Sequence, residues 1–266
     1  MTAAAVGVSA VLSTAVVSRK RYPVFGVDVS NYQGEVDWHL LEEQGVQFAY
    51  IKATEGSGHV DESARRNIEN SADTGIKRSC YHFFSFDSSG HTQAQNFIST
   101  VGRDEIDLPP VVDIEYYGDK AFDKPSRDET EDVLIPLLDE LEQYYGVKPV
   151  IYTTLPVYYR YVKPICGSDY PLWIRCKQTE PDFVDWTFWQ YDDHGELDGY
   201  YGDEIYIDFN VFNGTAEELE ELTLKNVGAH SVRPQICERH TRAAKRRPYK
   251  MLIQPNVGDA ALGVPH

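Results

Sequence analysis

The sequence predicts an α/β protein folded as one closed barrel of eight strands. Three observations carry this. Strand-like and helix-like segments alternate five times from Val24 onward, and repeated βα units imply parallel strands with right-handed crossovers. Helices then thin out and three further strands complete a count of eight, the number that closes a small barrel. No Gly-rich phosphate loop follows the first strand, which argues against an open nucleotide-binding sheet.

The elements follow in order. Val24–Ser30 reads as a strand and Val36–Gln44 as a helix stopped by Gly45. Phe48–Thr54 is a strand, and Glu62–Thr74 a helix stopped by Gly75. Arg78–Phe84 is a strand, and His91–Val101 a helix stopped by Gly102. Val111–Glu115 is a short β-branched strand opened by Pro109 and Pro110. A long helix from Ser126 to Tyr145 follows. Its Ser126-x-x-Glu129 capping box, its apolar Val133, Leu137, Leu138 and Leu141, and Gly146 after its end fix both boundaries. Pro149–Thr154 is the fifth strand, with a short helix around Pro156–Val162. Leu172–Cys176, Thr187–Tyr191 and Ile205–Val211 are the last three strands, and Thr215–Leu222 is a closing helix.

Three regions are expected: an apolar leader or imperfect signal segment over 1–21, the barrel over 22–224, and a basic, disordered tail over 225–266. The leader carries no charge through Ser18, and Arg19, Lys20 and Arg21 come after its apolar run, the reverse of a secretory signal. It is short for a membrane span, so no stable span is expected. The net charge is −17, yet residues 225–266 hold eight Lys or Arg against two acids. A body that acidic repels nucleic acid. The 18 Tyr, 11 Phe and 4 Trp exceed what a core needs, and flat rings suit sugar stacking. Cys80, Cys166, Cys176 and Cys237 form no C-x-x-C pair, and no His, Cys and acid cluster has metal spacing, so neither a metal nor a cofactor is expected. Cys80 reads as a buried thiol, while Cys166 and Cys176 flank a loop and are candidates for a bridge.

Catalytic residues of a barrel sit at the C-terminal ends of its strands. Asp28 lies near the end of strand one and Glu55 follows strand two. Asp113 and Glu115 end strand four, and Asp208 lies in strand eight. Asp113 and Glu115 are two apart, so they share a face, and mutual repulsion raises at least one pKa. A carboxylic acid held protonated near neutrality is what a general acid needs. Read alone, Asp-x-Glu is more often a solvent-facing strand end, and Asp28 before Ser30-Asn31 an Asx-turn former; the convergence of several acids on one mouth raises both. Tyr81, Tyr152, Trp189 and Gln190 fall late in their strands and are the candidates for substrate binding. His82 reads as a hydrogen-bonded core residue. No Gly-x-Ser-x-Gly elbow is present, which excludes that route to acyl transfer.

Six motifs occur in order: Gly26-Val27-Asp28-Val29-Ser30-Asn31-Tyr32-Gln33-Gly34, Ile51-Lys52-Ala53-Thr54-Glu55-Gly56, Tyr81-His82-Phe83, Val112-Asp113-Ile114-Glu115, Trp189-Gln190-Tyr191 and Asp208-Phe209-Asn210-Val211-Phe212-Asn213-Gly214. Over about residues 23–222 the chain resembles glycoside hydrolase family 25, the N-acetylmuramidase type of lysozyme. The resemblance implies a single TIM-like barrel of the (β/α)5(β)3 type. It implies hydrolysis of the β-1,4 bond between N-acetylmuramic acid and N-acetylglucosamine in bacterial cell-wall peptidoglycan. By position Glu115 matches the family's acid/base, and Asp113, Asp28 and Asp208 match its supporting acids. Asp113 either attacks directly or orients the substrate acetamido group; the Asp-x-Glu spacing favours the second, with retention of configuration. A monomer, secreted or wall-associated or acting as a phage-type lysin, is expected. A chitinase-like Asp-x-Glu glycosidase and a non-catalytic wall-binding barrel are the competing readings.

Overall fold

The computed structural model describes residues 21–177 and 179–226. Residues 1–20 of the leader, Cys237 and all of the basic tail beyond Asn226 lie outside the described residues.

Among the described residues nine strands form one sheet: β1 (Phe25–Val29), β2 (Phe48–Glu55), β3 (His59–Val60), β4 (Lys77–Phe83), β5 (Val111–Ile114), β6 (Val150–Thr154), β7 (Leu172–Arg175), β8 (Phe188–Gly195) and β9 (Ile207–Phe212). Its order is β1-β9-β8-β7-β6-β5-β4-β2-β3, and a further β1–β2 pairing closes eight of the strands into a barrel. The two-residue β3 is an antiparallel flap on the end of β2, which the sequence pattern did not indicate. β1, β2 and β4 to β8 run parallel. β9 is antiparallel to both β8 and β1. A strand reached without a crossover helix is free to reverse, because only βα units enforce parallel pairing.

The helices are α1 (Trp38–Glu43), α2 (Ala64–Asn70), α3 (Gly90–Thr100), α4 (Arg127–Tyr145), α5 (Leu155–Val157), α6 (Lys163–Cys166) and α7 (Ala216–Glu221). A π-helical turn, Tyr158–Val162, makes α5 and α6 one continuous helical stretch, longer than the sequence suggested. Helix α4 forms as its caps dictate. The Glu129 N–H donates to Ser126 Oγ, and the Ser126 N–H donates to Glu129 Oε2 at 2.9 Å. Gly146 takes φ +74° and closes the far end. Pro136 lies inside α4 on its exposed face, so the helical hydrogen bond it cannot make is lost on the solvent side. Leu134, Leu137, Leu138 and Leu141 are fully buried on the opposite face. Among the described residues no helix is long and apolar enough to cross a membrane.

Strand alternation splits the core in two. Val27, Val29, Ile51, Cys80, Val112, Ile114, Ile151 and Ile174 point outward and pack under the helices. Phe48, Tyr50, Val111, Val150, Trp173, Phe188 and Phe212 point inward and fill the barrel. Tyr50 stacks on Trp173 with centroids 4.8 Å apart, and Phe188 meets Phe48 at 5.1 Å and Phe212 at 5.3 Å. This plug of rings makes the interior a solid floor rather than a pore.

Candidate active site

Above that floor, the inward positions become polar. One residue pair further along, β1 offers Asp28, β5 Asp113, β6 Tyr152, β8 Gln190 and β9 Asp208. Together with Lys52, Tyr81, Phe83, Glu115, Trp173 and residues of the surrounding loops they line a cleft of about 280 Å³ at one end of the barrel. Asp28 pairs in register with Asp208 across β1 and β9, and Asp113 pairs with Tyr152 across β5 and β6.

Asp208 reaches this mouth by a route different from the one its position suggested. It lies second in β9, not late in it, and it faces Asp28 because β9 runs the other way. Reversal brings a strand's beginning to the end where its neighbours finish.

Asp28 is held by a chain of amides. Gln190 Nε2 donates to Asp28 Oδ2 at 2.9 Å and Asn210 Nδ2 donates to the same oxygen at 2.7 Å. The Tyr152 hydroxyl donates to Gln190 Oε1, and Trp173 Nε1 donates to Asn210 Oδ1. Asp208 is hydrogen-bonded to Asp28 as well. Burial and the adjacent Asp28 push the Asp208 carboxyl up to about 9, so it carries a proton at neutral pH. Burial also raises Asp28, but the Asn210 and Gln190 amides and Asp208 oppose the rise, so Asp28 is the acceptor of the pair.

Asp113 and Glu115 form the second pair. Burial, the Glu115 charge and the Asp28 charge push Asp113 well above the usual carboxylate range. Burial also raises Glu115, while Arg175 and Lys52 oppose the rise. Asp113 Oδ1 is buried and has no hydrogen-bond partner. An orphaned acceptor lining a cleft is a site kept for a donor that the substrate brings.

Lys52 bonds Glu55 at 2.8 Å and sits 5.1 Å from the centre of the Phe83 ring. A register irregularity between Lys52 and Thr54 re-aims β2 there. Arg175 bonds Asp193 at 2.8 Å, as does Lys177, and these cations with His194 hold Asp193 down at about 2. The carboxylate and imidazole atoms of Asp192, Asp193 and His194 come within 4.8 Å of one another, but those of Asp193 are already engaged by Arg175, Lys177 and His194.

Of the residues singled out from sequence, Glu115, Asp113, Asp28, Asp208, Tyr81, Tyr152 and Gln190 all line the cleft. Trp189 does not. Strand β8 alternates, so with Phe188 and Gln190 inward, Trp189 points outward. It packs on Trp186 and Tyr22, and its Nε1 donates to the Cys176 carbonyl at 2.7 Å. Trp173 of β7 is the tryptophan that lines the cleft. Glu55 serves Lys52. His82 is a core residue bonded to Thr54 and Gln93, and burial depresses it to about 4. Cys166 and Cys176 are thiols, not a disulfide.

Lys52, Trp173 and Asn210 escaped the sequence reading. Asn210 is two residues from Asp208, so the same period of two that paired Asp113 with Glu115 would have placed it. Lys52 is a lone charge in the apolar run Phe48–Thr54, which is a signal in itself. Trp173 gave no signal, because its strand is apolar on both faces.

A closed α/β barrel whose mouth gathers Asp28, Asp113, Glu115 and Asp208 carries the paired carboxyls that glycoside hydrolysis needs. The sequence profile of Glycosyl hydrolases family 25 matches residues 27–200, and the chain belongs to that family. It is similar to a family 25 glycosyl hydrolase from Bacillus anthracis of known structure, with TM-score 0.71 and 45% identity, covering 76% of this chain and 94% of that one. It is 37% identical to YegX of Escherichia coli K12 over 207 residues, which is 75% of this chain and 73% of the relative. It is 35% identical over 211 residues to Lysozyme M1 of Streptomyces globisporus, covering 74% of this chain and 70% of that protein.

Proposed function

We propose that the protein is a peptidoglycan hydrolase that cleaves the β-1,4 bond between N-acetylmuramic acid and N-acetylglucosamine with retention of configuration. Glu115 is the acid/base and Asp113 orients the substrate acetamido group. Similarity to a lysozyme supports the substrate class. The observation that carries the mechanism is the orphaned Asp113 Oδ1 at the end of the strand that presents Glu115.

In the empty cleft Asp113 and Glu115 hold a proton between them. When substrate enters, its acetamido N–H donates to Asp113 Oδ1. That favours Asp113 as carboxylate and leaves the proton on Glu115. Glu115 then protonates the glycosidic oxygen as the bond to the anomeric carbon breaks. The acetamido carbonyl oxygen attacks that carbon from the opposite face, giving a cyclic oxazolinium whose charge Asp113 balances. Water next gives a proton to the Glu115 carboxylate and its oxygen to the anomeric carbon, reopening the ring. Two displacements leave the β configuration in place. Asp28, ionised and fixed by Gln190 and Asn210, stabilises the positive charge developing at the anomeric carbon. Asp208 stays protonated as the donor that holds Asp28. Because the substrate is cell wall, the enzyme acts in a secreted or wall-associated setting, or as a phage-type lysin.

The test is mass spectrometry of products from purified peptidoglycan. Muramic acid at the new reducing end is the expected result. Glucosamine at that end, or rapid cleavage of chitin oligomers without wall hydrolysis, points to the chitinase-like alternative. A folded protein with no turnover is the non-catalytic barrel.

A further inference from the structure

The cleft ends against two loops that lie side by side, 30–37 after β1 and 196–206 before β9. Their backbones are stitched together. The Tyr201 N–H donates to the carbonyls of both Gln33 and Glu35, at 3.1 and 3.0 Å. The Glu204 N–H donates to the Tyr32 carbonyl at 3.1 Å, and the Asp37 N–H to the Gly199 carbonyl at 2.7 Å. Gln33 Nε2 donates to the Tyr206 carbonyl. Gly202 sits so close to the Tyr32 carbonyl and the Gln33 backbone that no Cβ fits there. Here Tyr32 is 64% exposed, Tyr201 70% and Ile205 69%.

We propose that these loops form a platform on which the glycan strand continues after it leaves the cleft, with Tyr201 and Ile205 as its outer contacts. The inference rests on the peptidoglycan reading above. Continuity supports this occupant, since Tyr32, Glu204 and Tyr206 belong both to the two loops and to the lining of the cleft. Size supports it as well. A cleft of about 280 Å³ holds only a short oligosaccharide, so a polymer must run onward over the rim. Tyrosine suits the task, with a flat apolar face for the C–H side of a pyranose and a hydroxyl for its rim. The stitched backbone fixes the rings before the ligand arrives, which spares the ordering cost of binding.

The experiment compares wild type with Tyr201→Ala, Ile205→Ser and the double variant on glycan strands of tetrasaccharide length and on long strands, with melting temperatures recorded for each. The platform predicts a KM for long strands raised roughly 3- to 10-fold by Tyr201→Ala, by less for Ile205→Ser and by most for the double variant, and turnover of the short substrate within about twofold of wild type for all three. Tyr201→Trp should keep the long-strand KM. Equal losses on both lengths, or no loss on the long strands, overturn the platform. Sedimentation of the variants checks for a second copy as occupant, and a dimer that Tyr201→Ala dissolves would also overturn it. Co-sedimentation of Glu115→Gln with insoluble wall separates the two readings. Tyr201-dependent wall binding by a protein whose wild type hydrolyses nothing would refute the muramidase and leave the platform. Active enzyme whose wall binding ignores Tyr201 would refute the platform alone.

Discussion

At Asp113 and Glu115 a single strand end holds two carboxyls that burial and the Asp28 charge drive upward, with Glu115 adding to the rise of Asp113. A spacing of two residues put them on one face, and that much was legible from the chain. Their burial was not, because it depends on the rings beneath them. Glu115→Gln keeps the shape and removes the proton donor. Hydrolysis of purified wall should fall on the order of 10²- to 10⁴-fold while the melting temperature holds, and near-normal turnover by the folded variant would move the acid role elsewhere. Asp208 makes a separate prediction. Its carboxyl is raised from an ordinary 3.8 to about 9 in the native state. The native chain therefore keeps a proton that the unfolded chain releases. Stability is full below about pH 4 and declines as pH rises toward 9. Asp208→Asn removes that loss and still offers an N–H to Asp28. Thermal unfolding should show the variant matching wild type near pH 4 and increasingly exceeding it as pH rises to 8, by up to several kcal/mol, with activity reduced. A variant less stable at pH 8 than wild type would show that the Asp208 proton is not held as described.

Among the elements, those with local signals were legible almost to the residue. Helix α4 begins after Ser126 and ends at Tyr145 before Gly146, because its caps are written in side chains three apart and in one left-handed glycine. Ser126→Ala removes the acceptor for the Glu129 N–H and should lower unfolding free energy by roughly 0.5–2 kcal/mol without touching activity, as denaturant titration would read. An unchanged midpoint would mean that water replaces the cap at no cost. Strand β9 was found but its direction was not. Direction depends on the connection, and the loop between β8 and β9 carries no helix to force a crossover. The inward face of β8 was also misjudged, since Trp189 and Gln190 are neighbours and only one can face the cleft. The run Phe188–Tyr191 is buried on both faces, so polarity alone does not say which. Glutamine faces in because Asp28 needs a donor there, and tryptophan faces out under Tyr22 and Trp186.

For the molecule as a whole, the barrel was legible because strand count and alternation are sums over the chain, tolerant of local error. The network of Gln190, Asn210, Tyr152 and Trp173 around Asp28 was not, because it joins residues from four strands whose contacts exist only once the barrel closes. The account requires one outcome of all of these parts together: a muramic acid product released with its configuration retained. Proton NMR of peptidoglycan glycan during digestion, read before mutarotation, tests it most directly. The account predicts a muramic acid reducing end that appears first as the β anomer. An α anomer appearing first would contradict both double-displacement routes, and would make one of Asp28, Asp113 or Asp208 a base for water.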